Sequence, residues 1–304
     1  MPFGSMMRAP LALGLIKSQL AAAGLEAKVH NLNFALASAI GFGQYEMIAR
    51  FKGVETQVSE WLFAKAAWRS DFGPTDDEFL VLAGEELDTI PHIDDPAGWL
   101  KQIRETVIEP YLEHCVDRLL ADRPRVVAFS CMFFQTVAAL ALGRLLKERD
   151  PDITLAYGGV CFHGEAGEEL FDKVPWIDAV STSEADDVIV ELFAALARGE
   201  RPAGLAGIRS RGPDGTVAIG PPGAMASSAT LESLPDPLYD DFFADAREVG
   251  LLDNTVWRDR ASIPFEASRG CWWGQKKHCT FCGLNGEGMA FRVKHPDTVQ
   301  AARG

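Results

Sequence analysis

The stretch RVVAFSCMFFQTVAALALGRLLKERDPDITLAYGG, residues 125–159, decides the fold. Val126-Val127-Ala128-Phe129 is a short unbroken apolar run, the pattern of a strand covered on both faces. Phe134 to Arg149 then carries helical spacing and ends in cationic residues ahead of Asp150-Pro151, a helix stop. Ile153 to Tyr157 is a second apolar strand, closed by Gly158-Gly159. The alternation continues through a helix around Glu165 to Phe171, a strand near Ala179-Val180 and a helix from Asp186 to Ala197. Strand and helix in turn are the sequence form of parallel β-α-β units, so the expected fold class is α/β with a doubly wound, Rossmann-like parallel sheet. Ligands of such sheets sit in the crevice beyond the carboxyl ends of the strands.

Three loops reach that edge: Ser130-Cys131-Met132-Phe133, Gly158-Gly159-Val160 and Ser181-Thr182-Ser183-Glu184. None is a phosphate cradle. There is no G-x-G-x-x-G and no Walker motif, and a helix opening on Asp186-Asp187 satisfies its own dipole and repels an anion. Nicotinamide and nucleoside triphosphate cofactors are therefore not expected. His163 is the histidine near this edge.

Toward the amino end, Pro10 to Ala23 reads as a helix and Ala27 to Leu32 as a short strand. Only Met1-Pro2-Phe3 stands where a first strand of a doubly wound domain would end, so a truncated first strand is expected. Residues 34–123 have helical character, with a break at Gly41-Phe42-Gly43, a segment from Val58 to Arg69, and a long helix from Ala97 to Leu120. They predict a helical insertion over the sheet.

Toward the carboxyl end, Gly207 to Arg211 and Thr216 to Ile219 flank Pro213-Asp214-Gly215 as a hairpin. A turn-rich connection follows through Pro235-Asp236-Pro237. The expected organisation is an α/β domain over 1–200, a hairpin and linker over 201–260, and the opening of a second domain over 261–304, with Ile263 to Ala267 as its first strand.

Within that last part, Cys271, Cys279 and Cys282 fall inside twelve residues as C-x7-C-x2-C, flanked by glycines. Three thiols in one loop are a ligand set, and three readings of it stand. An iron-sulfur cubane would leave one iron free to bind a small molecule. His278 could instead complete a Cys3His zinc site, giving a non-enzymatic zinc-binding interaction module on an α/β domain. The third reading is unligated thiols.

The 304 residues are 47% hydrophobic, enough for a packed core. A net charge of -14 excludes non-specific nucleic-acid binding, which clustered Lys and Arg dominate. Cys115, Cys131 and Cys161 are scattered singly, as reduced thiols of a cytoplasmic protein are. No signal peptide and no membrane span is expected.

Ser268-Arg269-Gly270-Cys271, with an aromatic just before the last cysteine, resembles the cluster loop of radical S-adenosylmethionine enzymes. The seven-residue gap, with Cys-Trp-Trp-Gly at its start and His-Cys-Thr-Phe-Cys-Gly-Leu-Asn-Gly at its end, resembles the cobalamin-dependent members that mature ribosomally made peptides, many of them C-methyltransferases. The resemblance implies a 4Fe-4S cluster on Cys271, Cys279 and Cys282, and Phe281 at the adenine of S-adenosylmethionine. It implies cobalamin against Ser130, Cys131, Gly158, Gly159 and Glu184, in a domain ahead of a (β/α) barrel. A Gly-Glu-Gly usual there is Ser183-Glu184-Ala185 here, and no Asp-x-His-x-x-Gly supplies a histidine to cobalt. The expected activity is radical C-methylation of a precursor peptide, with electrons from an external donor. Too few residues follow Ile263 for a barrel, so a fragment inactive alone is expected.

Overall fold

The computed structural model describes residues 1–50, 56–70, 74–87, 93–280, 282 and 290–301. The chain opens with α1 (Leu11–Ala22) and a run of helices: α2 (Asn33–Ile40), α3 (Phe42–Arg50), α4 (Val58–Trp68), α5 (Asp76–Leu82), α6 (Gly84–Leu87), α7 (Pro96–Thr106) and α8 (Ile108–Ala121). The β/α part follows as β1 (Val126–Ser130), α9 (Thr136–Arg149), β2 (Thr154–Gly158), α10 (Gly164–Lys173), β3 (Ala179–Ser181) and α11 (Ile189–Ala197). The hairpin is β4 (Ile208–Arg211) and β5 (Val217–Ile219). Then come α12 (Ser228–Ser233), α13 (Asp240–Glu248), α14 (Thr255–Arg260), the short strands β6 (Ser268–Arg269) and β7 (Arg292–Val293), and α15 (Pro296–Ala301).

The sheet runs β1-β2-β3-β4-β5, and β1, β2 and β3 are parallel, in register from Val126 opposite Thr154 to Ser130 opposite Gly158. This parallel core is what the strand-helix alternation predicts. The hairpin is not free-standing: β4 pairs antiparallel with β3, and β5 with β4. Alternation along the strands sends side chains to two cores. Val127, Phe129, Leu155 and Tyr157 face the helical insertion together with α9, and Ala156, Ala179 and Ile208 face α11. Phe242, Ala246, Leu251 and Trp257 join the first of these, so the segment expected as a linker is packed into the main core.

Three local expectations need correcting. Ala27 to Leu32 contains no strand. Its amides bond to side chains of α13 instead: Val29 N donates to Asp241 at 2.7 Å and Asn31 N to Asp245 at 2.7 Å. The long helix over 97–120 is two helices broken at Val107, because Pro110 has no N–H to donate back across that point. Ile263 to Ala267 is not a strand either. Ser262 bridges to Arg8, and the ladder that follows is the two-residue antiparallel pair of β6 with β7. Met1-Pro2-Phe3, where the expected first strand would end, forms no strand, and Phe3 N donates to Phe134 O, beside the loop that follows β1.

The α9 helix is set against β2 through Tyr157. Its ring stacks on Phe129 at 4.8 Å, and its hydroxyl donates to Ala139 O at 3.3 Å. This requires a glycine in α9, since a Cβ on Gly143 would lie 1.9 Å from that hydroxyl. The amino end of α9 is held by Glu60 of α4, which accepts from Thr136 N at 3.1 Å and Val137 N at 2.8 Å. That carboxylate serves the orphan amides a cap residue would otherwise take.

Two measurements test this packing. Gly143→Ala gains helix propensity of about 1 kcal/mol, but displacing a buried tyrosine costs about 1–3 kcal/mol. The expected outcome is a net loss, read as a lower urea midpoint at unchanged m-value. The second concerns His30, whose Nε2 lies 3.0 Å from Asp122 while its Nδ1 is buried without a partner among the described residues. Burial, with Lys28 adding to it and Asp122 opposing, lowers its pKa below 6.5. The unfolded chain therefore takes the proton first. Stability is full above pH 6.5 and is lost as pH falls through the depressed folded value. His30→Gln should flatten that part of the urea-midpoint profile, and a profile identical to wild type would exclude His30 as its source.

Candidate functional site

The loops after β1 and β2 interlock at the carboxyl edge of the sheet. Cys131 N donates to Gly158 O at 2.8 Å, and Cys161 N to Cys131 O at 3.4 Å. Only a glycine fits the crossing: Gly159 has φ +94°, and a Cβ there would lie 2.4 Å from Cys131 O. Gly158 differs, because a Cβ on it would make an ordinary contact, 3.6 Å from Ser181 Cβ. Its bareness keeps open a cavity.

That cavity measures about 390 Å³ and lies between the sheet edge, α1 and α11. Ser130, Gly158, Gly159 and Glu184 all line it, so four of the five residues expected to contact a cofactor share one wall system. Cys131 does not: its side chain is buried in the core on the other face, where burial drives the thiol pKa well up. His163 is exposed and is not among the lining residues. Leu11, Leu15 and Ile16 of α1 give the cavity an apolar side.

One wall comes from the cysteine-bearing segment, through Glu266 and Arg269. Arg269 is forked onto Asp186 at 2.5 and 2.9 Å and onto Glu266 at 2.7 and 3.0 Å, and it reaches Glu184 at 3.3 Å. Arg292, paired with Arg269 across the β6–β7 ladder, forks onto Glu184 at 2.6 and 2.9 Å. Ala226 N donates to the same carboxylate at 2.8 Å. Burial pushes the Glu184 carboxyl pKa up, but Arg292, the Ala226 amide and Arg269 outweigh it and hold the carboxyl below its ordinary value. Arg269 is raised: burial opposes its charge, and Asp186 and Glu266 more than compensate.

This network was missed in the sequence. Asp186 read as the opening of a helix, whereas α11 begins at Ile189 and Asp186 serves Arg269. Arg269 stood inside the cysteine motif with no role of its own, and Arg292 lay outside it. The available signal was composition: three carboxylates around a sheet edge need cations.

In the cysteine loop, Gly270 has φ +81°, Gly274 N lies 3.2 Å from Cys271 Sγ, and Cys282 N donates to Cys279 O at 3.1 Å. Cys271, Cys279 and Cys282 are free and half-buried. Among the described residues no three His, Cys, Asp or Glu side chains are gathered at metal-binding distance, with or without His278. The donor set still fits a metal centre, since soft thiols closely spaced in one loop with a local C-x2-C turn are what such centres take. Trp272 and Trp273 are 55% and 53% exposed, and Lys276 Nζ sits 3.9 Å from the Trp272 ring centre. Phe281, expected at S-adenosylmethionine, lies outside the described residues.

No family model matches the chain. It is 28% identical over 156 residues to the cobalamin-dependent radical SAM methyltransferase TokK of Streptomyces tokunonensis, covering 50% of this chain and 22% of that protein. It is 26% identical over 194 residues to the anaerobic magnesium-protoporphyrin IX monomethyl ester cyclase of Rubrivivax gelatinosus, covering 60% of this chain and 31% of that one. Among solved structures, the cobalamin-dependent S-adenosylmethionine radical enzyme OxsB, with aqua-cobalamin and S-adenosylmethionine bound, aligns with a TM-score of 0.47 at 18% identity, over 63% of this chain and 24% of that one. The chain thus spans less than a third of the length of the curated relatives it matches. Over half of its own length the chain is similar, at a distance, to a cobalamin-dependent radical SAM methyltransferase, and a zinc-binding interaction module is not favoured.

Proposed function

We propose that this chain is the cofactor-holding part of a cobalamin-dependent radical S-adenosylmethionine enzyme that C-methylates a ribosomally made precursor peptide. The observation that carries the proposal is the joining of the two expected sites: one wall of the cavity at the carboxyl ends of β1–β3 comes from the segment that bears the cysteines. The similarity to the cobalamin-dependent radical SAM methyltransferase supports the cofactor class. Cys271, Cys279 and Cys282 would hold a 4Fe-4S cluster. Ser130, Gly158, Gly159 and Glu184 would line the corrinoid, with α1 as an apolar wall against its nucleotide tail. Once bound, the cofactors supply the electron from an external donor, the radical and the methyl group; the chain supplies orientation and shielding.

The chain's own part can be stated residue by residue. Gly158 leaves room at the strand end, and Gly159 lets the β1 and β2 loops interlock beneath it. The exposed Met132, Phe133 and Val160 form an apolar rim on those two loops, suited to a flat macrocycle. Glu184 is held ionised by two guanidinium groups and keeps the rim and the cysteine loop in one frame. All six cysteines are free, the state a reducing cytoplasm maintains, and among the described residues no helix is long and apolar enough to cross a membrane.

Two experiments test the proposal. Anaerobic reconstitution with iron and sulfide should load the wild type and the Cys115→Ala, Cys131→Ala and Cys161→Ala variants alike. Cys271→Ala, Cys279→Ala and Cys282→Ala should lose most of that iron, and equal loading across all six would overturn the cluster assignment. Titration with aquacobalamin, followed by its visible spectrum, should show saturable binding that Gly158→Leu weakens by about tenfold or more, on the order of 1.4 kcal/mol. A Cβ on Gly158 meets nothing closer than 3.6 Å, and the cavity beside it gives the rest of the leucine room, so the variant should stay folded, as its melting temperature would show. Undiminished binding by it would move the corrinoid elsewhere.

A further inference from the structure

We propose that Arg269 is a positioning residue that seats the cysteine loop on the cavity wall, so that filling the cavity and ordering the loop favour one another. Only the identity of the cavity's occupant rests on the function proposed above; the seating role stands on geometry alone.

The cysteines lie between two clamps. Arg269 precedes Cys271 by two positions and Arg292 follows Cys282, and both guanidinium groups converge on Glu184. Arg269 adds full forks onto Asp186 and Glu266, and Arg292 adds a bond to Ala226 O at 2.8 Å. The two clamps are tied together by the β6–β7 ladder, reinforced by Lys294 N donating to Ala267 O at 2.9 Å. Arg269, Asp186 and Glu266 are less than one-fifth exposed, so these are not solvated surface pairs. Forked guanidinium-carboxylate pairs fix direction as well as distance.

The same side chains face the cavity. Glu184, Asp186, Glu266 and Arg269 all line it. An occupant touching this wall meets it fully formed only when Arg269 is seated. It therefore binds the seated arrangement better than the unseated one, and by reciprocity a seated loop raises its affinity. Among the described residues of the loop, Trp272, Trp273, Lys276 and Lys277 are exposed and offer no such grip.

Amide hydrogen exchange on the whole chain, read by mass spectrometry over residues 270–280, tests both halves. Without ligand, Arg269→Met should raise exchange in that segment about tenfold while β1, β2 and α9 exchange as in wild type. Arg269→Lys, which keeps the charge and loses the fork, should recover part of the protection. Unchanged loop exchange in Arg269→Met, or a uniform rise across the sheet, would overturn the seating role. If Arg269→Met does not yield folded protein, Asp186→Asn removes one fork and should act in the same direction with smaller size. With aquacobalamin added, the wild-type loop should slow further, whereas Arg269→Met should bind the corrinoid without slowing. Equal slowing in both would overturn the linkage. If aquacobalamin does not bind wild type, the cofactor reading and the linkage fall together, and the ligand-free comparison still decides the seating.

Discussion

The constraint on which the rest depends is charge balance at the carboxyl edge of the sheet. Glu184, Asp186 and Glu266 meet Arg269 and Arg292 in a partly buried cluster, three carboxylates against two guanidinium groups. Losing one partner of a buried pair strands the other charge and costs about 3–5 kcal/mol in general. A surface pair of the same geometry is worth about 1 kcal/mol or less. The difference is why a segment with little core of its own still has a defined place. Ile263 is 60% exposed and Val293 52%, and helix α15 has no buried residue. Among the described residues, this end of the chain is held chiefly by polar contacts: the ion pairs, the two-residue ladder, the bonds of Glu232 to His295 N and Thr298, and that of Tyr239 to Pro264 O.

The sheet, by contrast, is held by burial. Its two faces close separate cores, one against α9 and the helical insertion, the other against α1 and α11. Because α1 covers the second face, the cavity opens between a helix and a sheet rather than at a free surface. The helical insertion and the segment ahead of it are anchored at separate places: Glu60 caps α9, and acidic side chains of α13 take the amides of Val29 and Asn31 while binding Lys17 and Arg118. Rigid elements on both sides are what allow loop residues to be placed with the accuracy a cofactor needs.

What was legible in the sequence was what depends on local pattern. The unbroken apolar strands, the helix stop at Asp150-Pro151 and the glycine pair after β2 need no distant partner to be read. Cysteine spacing is similarly local. What escaped was set by contacts across the chain. Ala27 to Leu32 looks like a strand by alternation, yet its amides go to Asp241 and Asp245, more than 200 positions away. Asp186 beside Asp187 looks like a helix opening, yet it is spent on Arg269, 83 positions on. Cys131 lies in the expected cofactor loop, but strand alternation turns it into the core. A hydrophobic pattern states which face is buried and leaves open which charged side chain will find which.

The cysteine loop shows how these two kinds of information combine. Its two ends are fixed by ion pairs on either side of the thiols, and Cys279 and Cys282 are linked by a local turn. Between them the thiols stand free and ungathered among the described residues. A metal bound by such a set contributes its own binding energy to gathering the ligands. The chain's task is narrower: to bring the ends of the loop close enough that closure costs little chain entropy, and to aim it at the cavity. Loop entropy grows only slowly with length, so the seven residues between Cys271 and Cys279 matter little to that cost. The direction in which the loop departs from the sheet matters more, and Arg269, forked between two carboxylates two positions before the first cysteine, sets it.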